Sequence, residues 1–366
     1  MSILNIKKGG ITMDVASIVL AFLAGIAGTA MGGIQSFVAV GLLGMAGMGV
    51  AAAIPALGVG PVIGNMAFGI WFNPALSFFA SVTAYAYACK MGYIKTGKDI
   101  GLPLASINKP DALLVGGVAG AIGYVTMTLL TGPDYLGIKA DGAATAIAVL
   151  SIIVKLAFEK TIVGKVLDEV KKNGGRFSTK NGAPWLPWQR NGFMKFLLGI
   201  AWGPLSGAAT FVLFSNPATA AFAPFVGFFI CAFMFTWLAV GQPGSVVHHP
   251  AILAAYGVQM LVVANGGVVE GIALTDVLIW SAGIGVFAMF LADFVADIVH
   301  VYGTTHVDPP AITIFIVSFI IMTVLPAVGL TSGLILPLAL LALCFVIAII
   351  QDKSRAVEAG ITQSDS

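Results

Sequence analysis

Two aspartates and a histidine, Asp293, Asp297 and His300, stand four and three residues apart in the stretch LADFVADIVHVYGTTHVDPP. At helical spacing they share one face. Asp293 lies inside an apolar run, where an ionisable residue generally faces a cavity and marks a proton or ion path. His306 and Asp308 follow within a few residues, and the other two histidines, His248 and His249, are adjacent. Imidazole with carboxylate is a donor set for proton relay or for a divalent transition metal. His248, His249 and His306 are therefore weak metal-ligand candidates, since their spacing matches no metal signature.

A second kind of site is built from helix starts. Asn73-Pro74, His249-Pro250 and Asp308-Pro309 each put a polar residue before a proline, the arrangement of a capped helix with Pro at its first position. Inside a membrane, such a start aims free N–H groups at a cavity and suits an anion or a carboxylate. Asp141 joins this group through a repeat described below. Glu270 and Asp276 read as loop residues.

The elements that must hold these residues are apolar. Hydrophobic residues make up 58% of the 366, charged residues only 9%, and the mean hydropathy is +0.99. A soluble domain carries about 25% charge, so a soluble reading fails. The 45 glycines suit close helix packing in a bilayer. The net charge of +2 gives no ground for nucleic-acid binding, and the three cysteines form no C-x-x-C pair. The run from Val15 past Met31 has no clean cleavage site, so a signal peptide is not expected, and Met13 is an alternative start.

Eleven apolar spans are expected, at 14–32, 35–54, 74–90, 112–130, 143–158, 194–213, 222–240, 250–265, 277–298, 311–327 and 333–350. The segment 55–72, rich in Gly and Pro, reads as re-entrant or interfacial, since irregular backbone at membrane depth is tolerated when other helices bury it. With eleven spans, 15 of the 18 Lys and Arg fall on one side, leaving Lys7, Lys8 and Lys139 on the other. The positive-inside rule then puts the N-terminus outside and the C-terminus in the cytoplasm of a cell membrane.

An internal repeat is expected. ADGAATAIAVLSIIV from Ala140 aligns with VDPPAITIFIVSFII from Val307, pairing Asp141 with Asp308. Asn73-Pro-Ala-Leu aligns with His249-Pro-Ala-Ile, and the run from Phe37-Val38 with that from Phe225-Val226. A unit of five spans crosses an odd number of times, so its second copy is inverted. The fold class is thus an all-α polytopic membrane protein with a 5+5 inverted repeat and one extra helix. Its parts are 1–158, a basic linker 159–193, 194–328, and a helix with a tail at 329–366. In the linker, a short amphipathic helix is expected before a Gly- and Pro-containing loop. Trp185 and Trp188 before Arg190 read as an interfacial anchor.

The five-plus-five-plus-one plan resembles that of ammonium transporters in architecture. The paired pore histidines and glycine-rich signatures of that family are not matched, so its function is not carried over. Asn73-Pro-Ala also resembles the aquaporin motif. A second copy, Asn216-Pro-Ala, falls in a loop, and aquaporins have six full spans.

The functional expectation is a secondary transporter or channel for a small solute or ion, coupled to protons or cations, with no nucleotide loop and no cofactor. The rivals are a membrane subunit of a larger ion-translocating complex and a metal-dependent membrane enzyme. Expected partners are the bilayer, a small solute or ion, and either a second copy or a soluble protein at the linker.

Overall fold

The computed structural model describes residues 6–8, 11–58, 60–131, 139–172, 174–177 and 185–364. A short antiparallel ribbon, β1 (Ile6–Lys8) and β2 (Ile11–Met13), comes first. The first half then holds α1 (Val15–Met31), α2 (Gly33–Ala53), α3 (Ser77–Lys90), α4 (Pro110–Thr131) and α5 (Gly142–Glu159). The five-residue α6 (Asp168–Lys172) lies in the linker. The second half holds α7 (Gly192–Phe214), the short α8 (Pro217–Ala220), α9 (Val226–Phe233), α10 (Thr236–Ala239), α11 (His248–Ala264), α12 (Leu274–Val299), α13 (Pro309–Phe319) and α14 (Leu325–Ala327). The last helix is α15 (Ile335–Ser364).

Helices lie over most of the apolar stretches, where backbone N–H and C=O groups can be paired within the segment. Among the described residues, seven helices are long and apolar enough to cross a membrane, and the architecture is that of a helical membrane protein. Outward faces support this. Leu114, Val118 and Ile122 form an exposed apolar stripe on α4, and Leu197, Leu205 and Val212 are exposed on α7. α12 is the most enclosed of the seven.

The stretch expected as one span at 222–240 is broken between α9 and α10. The segment 55–72 contains a 3-10 turn at Pro55–Leu57 and a π-helical turn at Gly60–Ala67, with no α-helix. The loop expected after α6 falls mainly at 178–184, outside the described residues.

The two halves pack by matching rules. α1 lies against α3 and α4, as α7 lies against α11 and α12. α3 lies against α4 and α5, as α11 lies against α12 and α13. Across the junction, α2 meets α9 and α5 meets α13. Glycine permits the two tightest pairs. A Cβ on Gly25 of α1 would strike the Gly116 carbonyl of α4, and one on Gly203 of α7 would strike the Ser281 carbonyl of α12.

α5 and α13 run antiparallel. The Asp141 backbone N–H donates to Ser318 Oγ at 2.9 Å at one end. Ala148 and Ile312 share an apolar cluster in the middle. At the other end, Glu159 Oε1 accepts the Thr304 backbone N–H at 2.7 Å.

That second end gathers the basic segments. Lys98 Nζ donates to the Val301 carbonyl at 2.9 Å, and Arg176 Nη1 to the Asp297 carbonyl at 2.9 Å. Asp352 of α15 accepts the backbone N–H groups of Gly192 and Phe193 at 2.9 and 3.1 Å, tying α15 to the start of α7.

Candidate functional site

The spacing of Asp293 and Asp297 does put both on one face of α12, and both are buried. Neither lines the central cavity described below. Arg190, just before α7, grips Asp297 with both terminal nitrogens, each at 2.9 Å. Its Nη1 also lies 3.5 Å from Asp293 Oδ1, and Lys195 Nζ lies 2.5 Å from Asp293 Oδ2. Two carboxylates are thus balanced by two cations. Asp293, expected to mark a proton or ion path, is part of an ion-pair cluster that joins the linker and α7 to α12.

Burial disfavours the Arg190 charge. The bonds to Asp297 and the charges of both aspartates outweigh that and hold its pKa above the usual value. No local pattern announces the cluster, because its partners lie 98 and 107 residues apart. Sequence alone places Arg190 after an interfacial Trp anchor and counts it and Lys195 among the charges that orient the chain.

His300 follows the last residue of α12 and its Nδ1 donates to the Val307 carbonyl at 2.9 Å. Its ring meets that of His306 with centroids 4.8 Å apart. His248 and His249 form a second pair at 5.5 Å. The second pair opens α11, which begins two residues earlier than its proline suggested. His249 therefore does not cap it, and neither ring nitrogen of His249 has a hydrogen-bond partner among the described residues. No three His, Cys, Asp or Glu side chains among the described residues are arranged to hold a metal ion. The suggested ligands His248, His249 and His306 do not form such a set.

The other predicted group does converge. A cavity of about 590 Å³ is lined by Asn73, Asp141, His248 and Asp308, from both halves of the chain. Asp141, His248 and Asp308 stand at the starts of α5, α11 and α13, whereas Asn73 lies four residues ahead of α3, whose cap residue is Leu76, so the helix does not begin at Pro74 as its proline suggested. Asn73 Oδ1 accepts the Ala75 N–H at 3.0 Å, and its Nδ2 donates to the Phe68 carbonyl at 2.8 Å. That holds the irregular segment 55–72 against the start of α3. Asp141 caps α5, its Oδ1 accepting the Ala144 N–H at 2.8 Å. Asp308 is the cap residue of α13, with Pro309 and Pro310 following, but its side chain makes no cap bond. Asp308 Oδ1 lies 3.9 Å from His306 Nε2.

Asp141 and Asp308 occupy opposite ends of this cavity. Asp141 is bonded to Ser318, ten residues along α13 from Asp308, which is about 15 Å at 1.5 Å per residue. Aromatic rings form the wall between them. Phe68 meets Phe225 at 4.8 Å and Phe228 at 6.0 Å, and Phe37 meets Phe228 at 5.3 Å.

Tyr256 and Gln259 of α11 also line the cavity, and both line a second one of about 420 Å³ that reaches Lys139. The sequence reading passed over both. Two polar residues in an apolar helix were the signal that could have found them.

A family model described as a family of unknown function (DUF7973) matches residues 8–174 and, a second time, 167–339. No curated protein and no solved structure matches the chain.

Proposed function

The chain belongs to the family of unknown function DUF7973, and from its geometry we propose an integral membrane carrier or channel for a small solute or ion. It works without ATP, and its passage is the cavity between the halves. One observation carries the reading: the starts of α5, α11 and α13 and the Asn73-Pro74 turn ahead of α3 meet on one chamber of ligand size. Helix starts from two related halves meeting at a shared site is a recurring transporter plan.

The halves are inverted repeats of five crossings, with α15 as the eleventh and 55–72 re-entrant. The matching packing of the two halves, the antiparallel run of α5 and α13 and the paired family matches support this. The basic end is cytoplasmic, and the N-terminus lies outside the cell membrane. In intact cells, a cysteine at position 139 is expected to react with an impermeant thiol reagent and one at 171 is not. The reverse pattern refutes the orientation.

The transport reading is tested by filling the chamber. Ala311 is buried at the start of α13 and lines it. A screen of small solutes on the detergent-purified protein is expected to give hits that raise the Tm of the parent but not of Ala311→Phe. The same solutes should cross proteoliposomes of the parent only. Hits that stabilise or cross equally with both proteins refute the reading.

A further inference from the structure

The charges of the interior divide into two kinds. Asp293 and Asp297 are matched by Lys195 and Arg190, and Glu159 is matched by Lys155 at 2.6 Å. Asp141 and Asp308 have no Lys or Arg within ion-pair distance among the described residues, and both line the central cavity. The nearest titratable partner of Asp308 is His306, 3.9 Å away. No Lys or Arg lines that cavity, and Lys139 lines the outer one instead. A carboxylate removed from water calls for a cation or a proton.

The helix starts do not reverse this sign. Pro309 and Pro310 remove two of the N–H groups that α13 would offer an anion, and Pro74 removes one ahead of α3. At α5, the Ala144 N–H is already taken by Asp141 Oδ1. The Asp308 side chain makes no cap bond to its own helix, so its carboxylate oxygens are not taken up by α13.

Two further observations point to the ligand's chemistry. His248 is 5% exposed and lines the cavity, and its Nδ1 has no hydrogen-bond partner among the described residues. A neutral imidazole nitrogen accepts a hydrogen bond from an N–H donor. The wall of Phe37, Phe68, Phe225 and Phe228 suits an apolar body and attracts a cation to its ring faces. A hard inorganic cation such as Ca²⁺ would need six or more oxygens, and this wall is mostly carbon.

We infer that the cavity binds a small organic cation, a protonated amine whose N–H groups reach Asp308 beside His248, with its apolar body along the aromatic wall. The inference rests on the transport reading and assigns its substrate class. Three probes of one shape and different charge test it on the full-length purified chain: n-butylammonium, n-butanol and butyrate. Butylammonium is expected to bind at least tenfold more tightly than the other two in calorimetry. On supported membranes with proteoliposomes it should give a current that butanol and butyrate do not.

Asp308→Asn should weaken butylammonium at least tenfold without lowering the Tm of the unliganded protein. Asp308→Glu should retain the preference for the cation, which guards against a folding artefact. Tighter binding of butyrate, or equal binding of all three, overturns the cation inference while a solute chamber survives. Binding of none overturns it as well, and the Ala311→Phe comparison then decides the transport reading separately.

Discussion

Tyr256 of α11 donates its hydroxyl to Asp141 Oδ2 at 2.5 Å, across the junction between the halves. Tyr256 lines both the central cavity and the outer one that reaches Lys139. The bond therefore lies where the two cavities share lining residues. It holds the start of α5 to the middle of α11.

Tyr256→Phe removes this bond and leaves the ring. A hydrogen bond to a charged group contributes about 1.5–3 kcal/mol, so a stability loss of that size is expected by chemical denaturation. A cysteine placed at Ala144 should also react faster with a water-soluble reagent added from the Lys139 side. An unchanged rate would show that the bond does not separate the two cavities.

The cluster of Arg190, Lys195, Asp293 and Asp297 is expected to govern folding. Removing one partner of a buried pair costs about 3–5 kcal/mol because the other charge is stranded. Arg190→Met and Asp293→Asn should each lower stability by that order, read as loss of monodisperse protein and of Tm. Arg190→Met combined with Asp297→Leu should recover most of the Arg190→Met loss. A double variant no better than the single one would contradict the pairing.

Lys98, on the loop between α3 and α4, is partly buried where its Nζ meets the Val301 carbonyl. Burial first, and then the charge of Lys155, lower its pKa below 10.5, with Glu159 opposing. The folded chain then holds this proton less firmly than the unfolded chain. In the window that ends near 10.5, the unfolded state binds more protons, so stability from this group rises with pH. The Tm of the parent relative to Lys98→Met should climb as pH approaches 10.5. Parallel curves would remove Lys98 from the account.

The glycine contacts give a paired prediction. Gly25→Val and Gly203→Val each push a side chain into a carbonyl of the facing helix. Overpacking costs about 1–3 kcal/mol, and both should reach the upper end, since the obstacle is backbone. Gly49 on α2 has open space around it, so Gly49→Ala should stabilise by about 0.5–1 kcal/mol. Equal tolerance at all three positions, judged by thermal denaturation, would contradict the packing.

The helices were legible because apolar length is a local property. The expected 143–158, 194–213 and 277–298 lie within a few residues of Gly142–Glu159, Gly192–Phe214 and Leu274–Val299. Asn73, Asp141 and Asp308 could be singled out because a polar residue at a helix start leaves a mark within a few positions. Arg190 could not be assigned to Asp297, since nothing local says which helix will lie beside a loop. The partner of Asp293 was hidden for the same reason: its apolar neighbours are local in the sequence, and Lys195 is 98 residues away. The break between α9 and α10 was also unreadable, as no Gly or Pro marks it.

The balanced cluster on α12 and the unbalanced pair in the cavity differ in how a membrane voltage acts on them. A charge moved across the full potential exchanges about 2.3 kcal/mol per 100 mV. Arg190, Lys195, Asp293 and Asp297 sum to zero, so the joint they form can shift along the membrane normal without feeling the field. Asp141 and Asp308, when ionised, are uncompensated, so a passage that rearranges empty carries their charge with it. A bound monovalent cation cancels one of the two. On the proposed transport reading, the electrical work of the empty and the loaded steps would then differ by one elementary charge, and the potential would favour one direction of turnover.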